Sequence, residues 1–123
     1  AAGILADTAD VPLVVVQHSN AVPALAPRDG LRLIAADSLS DALDRLAGVG
    51  IDSVLVEGGG RLAGQLLKEQ LVDRIYQLQA PVWVGAGRAA WADLGERALD
   101  EAIRWRTVER RPLGDDTLLV LEP

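Results

Sequence analysis

The apolar positions in the first half of the chain cluster in three short runs, of which the first is continuous and the second is interrupted by Arg32. They lie at residues 12–16, 31–35 and 53–56, and Val, Leu and Ile predominate in them. Short apolar runs bounded by turn residues are typical of buried strands. A helical period lies between the second and third runs, and another follows the third. Because strands that alternate with helices build parallel sheets, the pattern predicts a parallel α/β arrangement.

Two helices are predicted from apolar residues that recur three and four positions apart. The first begins at Ser38, which together with Asp41 resembles a capping box, and it is expected to end at Gly48. The second helix follows the third apolar run. Its predicted apolar face is formed by Leu62, Ala63, Leu66, Leu67 and Leu71.

The second half of the chain has a pattern that is typical of antiparallel strands. A longer strand is predicted over residues 72–80. Trp83, just beyond it, is expected to pack on the sheet, although a place in the lining of a pocket beside the glycines stays open. Residues 103–110 alternate in polarity and residues 117–121 are apolar, with a turn at residues 114–116 between them. This ending predicts an antiparallel hairpin with one solvated face, which completes one edge of a mixed sheet.

Composition and charge narrow the classes of function. Twelve basic against eighteen acidic residues give a net charge of −6, which argues against a nucleic-acid-binding surface. The absence of cysteine excludes disulfides and thiolate chemistry, and a single histidine excludes a His-rich metal site, so no metal is expected. The sequence has neither a signal peptide nor an apolar run near the length of a membrane span. A soluble, cytoplasmic protein is therefore predicted.

The most informative stretch is an acid followed by three glycines, directly before the second predicted helix. Glu57 precedes Gly58, Gly59 and Gly60. Glycines permit positive φ and the close approach of a ligand, and a helix N-terminus offers free N–H groups and the positive end of the dipole. Arg61 in the first turn opposes that dipole, and a bound phosphate would reverse the sign of its effect. The stretch has the outline of a phosphate-binding turn, although a tight turn without a ligand stays open.

Two familiar phosphate motifs fit these residues poorly. A P-loop needs Lys and Ser or Thr after its last glycine, but Gln65 and an apolar residue follow Gly64. Gly58, Gly60 and Ala63 match the loose Rossmann fingerprint. The acid that this fingerprint expects about 20 residues later is missing. A nucleotide phosphate held by a different α/β scaffold stays open.

Residues 53–64 resemble the signature of the reductase domain of riboflavin-biosynthesis deaminase–reductases. Residues 71–73, followed by Ala80 and Pro81, are similar to the next segment of that family, and residues 113–116 are similar to its terminal hairpin. The resemblance implies a dihydrofolate-reductase-like α/β fold, with a mixed sheet flanked by helices. It also implies that the whole chain is the C-terminal portion of a pyrimidine reductase domain.

The resemblance implies an activity as well: NADPH-dependent reduction of 5-amino-6-(5-phosphoribosylamino)uracil to its ribitylamino form. The glycine turn would hold the phosphates of NADPH, and Glu57 would contact the phosphorylated pyrimidine substrate. A strand-end acid that caps the next helix is the alternative for Glu57, and no residue is assigned as catalytic. A homodimer is expected. The cofactor-binding residues that the resemblance implies are Gly58, Gly59, Gly60, Arg61, Leu62, Ala63, Gly64 and Gln65.

The chain also departs from the family pattern. Nothing in residues 1–10 resembles the family's first strand, with its Thr/Ser-Leu-Asp-Gly segment. The chain is therefore expected to lack an N-terminal part of the domain and to have little reductase activity by itself. Arg74 stands where relatives often have an acid. Two alternatives stay open: a related NADPH reductase of another pterin or pyrimidine, and a non-catalytic, truncated oligomerisation module.

Overall fold

The structure is a computed structural model that divides the chain into two compact units, Ala1–Leu55 and Val56–Pro123. The expectation about residues 1–10 lies outside the described residues. Neither helix of the described part has the length and apolar character needed to cross a membrane. The described residues are 12–21, 29–92, 94–95 and 98–123.

The first unit contains two parallel strands and one helix. Strands β1 (Leu13–His18) and β2 (Leu31–Ala36) pair in register from the first residue of each, which confirms the predicted parallel pairing. Helix α1 (Leu39–Ala47) follows β2 and contacts it. The buried residues of the strand pair lie on β2, at Ile34 and Ala36, whereas β1 is half-buried or exposed.

Helix α1 begins with the predicted cap. The Ser38 hydroxyl accepts a hydrogen bond of 3.1 Å from the Asp41 N–H. The Asp41 carboxylate accepts from the N–H of Asp37 at 2.9 Å, one residue before the cap, and it pairs with Arg45 at 2.8 Å. These bonds, first that from Asp37 and then that from Arg45, lower the pKa of Asp41. The helix ends at Gly48, as predicted.

The third apolar run is not a strand, so this prediction is wrong. Residues 51–57 form no regular element, and Val54, Leu55 and Val56 are 49%, 72% and 41% exposed. An extended segment becomes a strand only when its N–H and C=O groups find partners on a neighbouring strand. No strand among the described residues pairs with this run, and the boundary between the two units falls within it.

The second unit contains a helix and a three-stranded antiparallel sheet. The hairpin is confirmed, although its first strand begins three residues later than predicted. The sheet order is β3-β5-β4, and Leu118 and Val120 on the central strand are buried. The elements are α2 (Gly60–Lys68), β3 (Ile75–Gln79), β4 (Arg106–Leu113) and β5 (Asp116–Glu122).

The predicted class of fold is confirmed, but the arrangement of strands differs from the prediction. The parallel and antiparallel pairings form two separate sheets among the described residues, because the run that was expected to add a strand is unpaired. The hairpin supplies the centre and one edge of its sheet. Trp83 does not pack on that sheet and is fully exposed, since β3 ends at Gln79 and residues 80–90 form no regular element.

A carboxylate on the central strand of the three-stranded sheet forms ion pairs with two arginines. Glu122 on β5 contacts the guanidinium groups of Arg74 at 2.5 Å and Arg106 at 3.5 Å. Hydrogen bonds with the Tyr76 hydroxyl and with Glu122 raise the pKa of Arg74. Arg74, which departs from the family pattern, therefore belongs to an ion-pair network on the sheet.

Candidate functional site

The glycine turn begins α2, and its conformation suits glycine alone. Gly59 is the N-cap residue, with φ of 72° and ψ of 101°, a region that side chains rarely adopt. Without a side chain, Gly59 cannot cap the first-turn N–H groups as Ser38 does for α1. The first turn of α2 also contains no acidic residue. The start of α2 therefore presents N–H groups and a positive dipole end that suit an anion.

One side of this turn is open. Apart from its chain neighbours, a Cβ atom built on Gly58 or Gly59 would meet no atom of the described residues within 4 Å. A ligand can thus approach the backbone there at a distance that a side chain would prevent.

The other side of the turn is closed by the chain itself. A Cβ on Gly60 would lie 2.7 Å from the carbonyl oxygen of Ala89, and one on Gly64 would overlap the carbonyl oxygen of Ala92. The N–H of Ala92 donates a hydrogen bond of 2.9 Å to the carbonyl of Gly60. Two glycines four positions apart on a helix face form this contact surface. Sequence reasoning missed it, although the spacing is visible in the sequence.

The other predicted site residues differ in their exposure. Arg61, Leu62 and Gln65 are exposed, and Ala63 is half-buried. Glu57 is exposed directly before the open glycines, and it forms no hydrogen bond or ion pair with a described residue. The described contacts therefore do not include the capping interaction that was the alternative for Glu57.

The turn has features that suit an anionic group such as a phosphate. It combines an open backbone surface at Gly58 and Gly59, an N-terminus without a side-chain cap, and a cation at Arg61 in the first turn. The uncapped N-terminus and the cation favour an oxyanion over a neutral group, and the open backbone leaves room for it. The site is assembled within the second unit, from residues adjacent in sequence.

Solved structures show the class of fold. The structure is similar to Acinetobacter baumannii RibD in form 2, with a TM-score of 0.74 and 22% identity over 89% of this chain and 37% of that chain. Its similarity to form 1 of the same protein has a TM-score of 0.73 and 21% identity over 89% and 36%. The fold is thus the dihydrofolate-reductase-like α/β fold of the RibD reductase domain.

The family follows from the sequence match. The RibD C-terminal domain matches residues 4–119, and the chain belongs to that family. It is 37% identical over 68 residues to the riboflavin biosynthesis protein RibD of Mycobacterium tuberculosis, covering 55% of this chain and 20% of the relative. It is 34% identical over 82 residues to RibD of Aquifex aeolicus, covering 67% and 23%. The chain therefore spans about a fifth of the length of these curated relatives, and it belongs to the riboflavin-biosynthesis reductase family.

Proposed function

We propose that this chain carries the cofactor-phosphate site of an NADPH-dependent reductase that converts 5-amino-6-(5-phosphoribosylamino)uracil to its ribitylamino form. Membership of the RibD C-terminal domain family supports a reductase of riboflavin biosynthesis. One observation carries the cofactor proposal. The N-terminus of α2 has no side-chain cap, and the backbone of Gly58 and Gly59 directly before it leaves room for a ligand.

The residues of the turn contribute to phosphate binding in different ways. The N–H groups at the start of α2 donate to phosphate oxygens, and the absence of Cβ atoms at Gly58 and Gly59 leaves room for them. The guanidinium of Arg61 adds positive charge beside them. When it is bound, NADPH supplies the hydride for the sugar C1 carbon.

Glu57 acts on the substrate in this proposal. Its carboxylate lies directly before the phosphate-binding glycines, at the surface of the second unit. A carboxylate there accepts hydrogen bonds from sugar hydroxyls and can help a proton reach the developing alcohol or amine. Glu57 thus orients the sugar beside the cofactor.

A titration of the chain with NADPH tests the proposal, with NADH as the control. Binding is followed by tryptophan fluorescence and by two-dimensional amide NMR. Shifts confined to residues 57–65, with tighter binding of NADPH, are the expected result, because those amides lie at the start of α2 and along it. The absence of binding by a folded chain would contradict the cofactor proposal.

The identity of the substrate, the homodimer and the cytoplasmic location stay predictions from the resemblance and the composition. Turnover of the phosphoribosylamino-pyrimidine against other pyrimidines or pterins distinguishes this reductase from a related one. Light scattering gives the molar mass in solution and tests the homodimer.

A further inference from the structure

The two sides of the glycine turn have different partners. Gly58 and Gly59 face open space, whereas Gly60 and Gly64 face the backbone of residues 89–92. Only a residue without a Cβ permits the carbonyl of Ala92 to lie where it does against Gly64. Because Gly also lowers helix stability relative to Ala, a glycine in the middle of α2 needs a compensating contact, and the packed backbone of residues 89–92 provides one.

This contact fixes where the preceding residue lies. The carbonyl oxygens of Ala89 and Ala90 are within 3.2 Å of a Cβ position on Gly60, the first residue of α2. Consecutive Cα atoms are about 3.8 Å apart, so the main chain of Arg88 lies beside the start of the helix. Ala89 and Ala90 lie against Gly60 and Ala92 lies against Gly64, one turn further along α2, so Arg88 precedes this segment on the side of the helix N-terminus.

Arg88 is also available to a ligand. Its side chain is exposed, and it forms no hydrogen bond or ion pair with a described residue. The helix dipole disfavours a cation near the N-terminus, and a bound anion would remove that penalty. A guanidinium binds phosphate oxygens with two parallel donors and so suits this place.

We infer that Arg88 is a further binding residue for the cofactor's phosphates, and that Gly60 and Gly64 are positioning residues that hold it there by packing against residues 89–92. The inference rests on the proposed function of the same turn. The glycines then have two roles. Gly58 and Gly59 leave room for the phosphate, whereas Gly60 and Gly64 leave room for the backbone of residues 89–92.

The affinity of the full chain for NADPH tests the role of Arg88. Arg88→Gln is expected to weaken binding about tenfold, the loss of one charge-assisted contact, and Arg88→Lys to retain part of the affinity. Arg110→Gln is the matched control, since Arg110 is an exposed arginine on β4 that forms no ion pair with a described residue. An Arg88→Gln affinity equal to that of Arg110→Gln would overturn the inference.

A double-mutant cycle tests the role of Gly64. Gly64→Ala is expected to displace residues 89–92, which would raise the exchange rate of the Ala92 amide and weaken NADPH binding. Because Gly64 acts through Arg88, adding Arg88→Gln to Gly64→Ala should cost less than about twofold more, whereas independent sites would add. If Gly64→Ala does not fold, Gly60→Ala tests the same packing with a milder overlap.

The outcomes separate this inference from the proposed function. Wild-type binding of NADPH with additive effects of Gly64→Ala and Arg88→Gln would overturn the positioning role. An unchanged Ala92 amide in Gly64→Ala would overturn the packing itself. Wild-type protein that does not bind NADPH would contradict the proposed function, and this inference with it.

Discussion

Replacing Gly59 by valine distinguishes two effects: the loss of stability from backbone strain in the turn and the loss of the proposed phosphate binding. Gly59 has φ of 72°, and its Cβ position is free of other atoms within 4 Å. The Cβ of a valine there meets no atom of the described residues outside its chain neighbours, so backbone strain is the main expected cost to stability. Such strain costs about 1–3 kcal/mol, which a domain of ordinary stability, about 5–15 kcal/mol, survives.

The expected loss of binding is larger than the loss of stability. A side chain at Gly59 would occupy the space that the proposal gives to phosphate. At least two charge-assisted hydrogen bonds would then be lost, each contributing about 1.5–3 kcal/mol. The affinity for NADPH should fall by at least about 100-fold, because each 1.4 kcal/mol is roughly tenfold.

Two matched variants make this assay specific. Gly114 in the β4–β5 turn also has positive φ, 64°, and open space around its Cβ position, so Gly114→Val carries similar strain away from the site. Gly58→Val adds a side chain to the turn, at a residue that is not among the positive-φ glycines. Urea unfolding measures stability, and NADPH titration measures affinity.

The stability and the NADPH affinity of the three glycine variants together test the proposed phosphate site. Gly59→Val and Gly114→Val should lose similar stability, and only the first should lose NADPH binding. Gly58→Val should lose binding with little loss of stability. If Gly59→Val binds NADPH as the wild type does, the turn does not hold the cofactor's phosphates.

The remaining predictions concern the substrate and the first helix. In the full-length enzyme, Glu57→Gln should impair turnover more than NADPH affinity, because its carboxylate contacts substrate in the proposal; unaltered kinetics would contradict that role. Ser38→Ala should lower the free energy of unfolding by about 1 kcal/mol through loss of the helix cap, as measured in urea. The hydrogen bond from the Asp37 N–H and that from Arg45 lower the pKa of Asp41. The stability that this carboxylate contributes should therefore persist at neutral pH and be lost as pH falls from about 4 through the lower folded value; an NMR titration of Asp41 that shows an ordinary pKa would refute this.

Elements whose signals are local could be predicted. The helix after Ser38 was predictable because a side-chain cap, an apolar period and a terminal glycine all lie within the same dozen residues. The hairpin was predictable for the same reason, with its turn at Gly114. Its first strand was misplaced by three residues because alternating polarity continues on both sides of the boundary.

Elements that depend on a partner could not be predicted. The run at Val54, Leu55 and Val56 has the composition of a strand, yet pairing depends on which backbone lies beside it. The exposure of Trp83 depends in the same way on where the sheet ends.

The candidate site also has one part that local sequence predicts and another that depends on tertiary contacts. The acid, the three glycines and the helix start are adjacent in sequence, so the residues alone determined that a phosphate-binding turn could form there. Which glycines face open space and which face residues 89–92 was decided only by tertiary structure, because that contact joins segments about thirty residues apart along the chain. Local sequence sets backbone conformation through sterics and nearby hydrogen bonds, whereas the neighbours of a residue depend on the path of the whole chain.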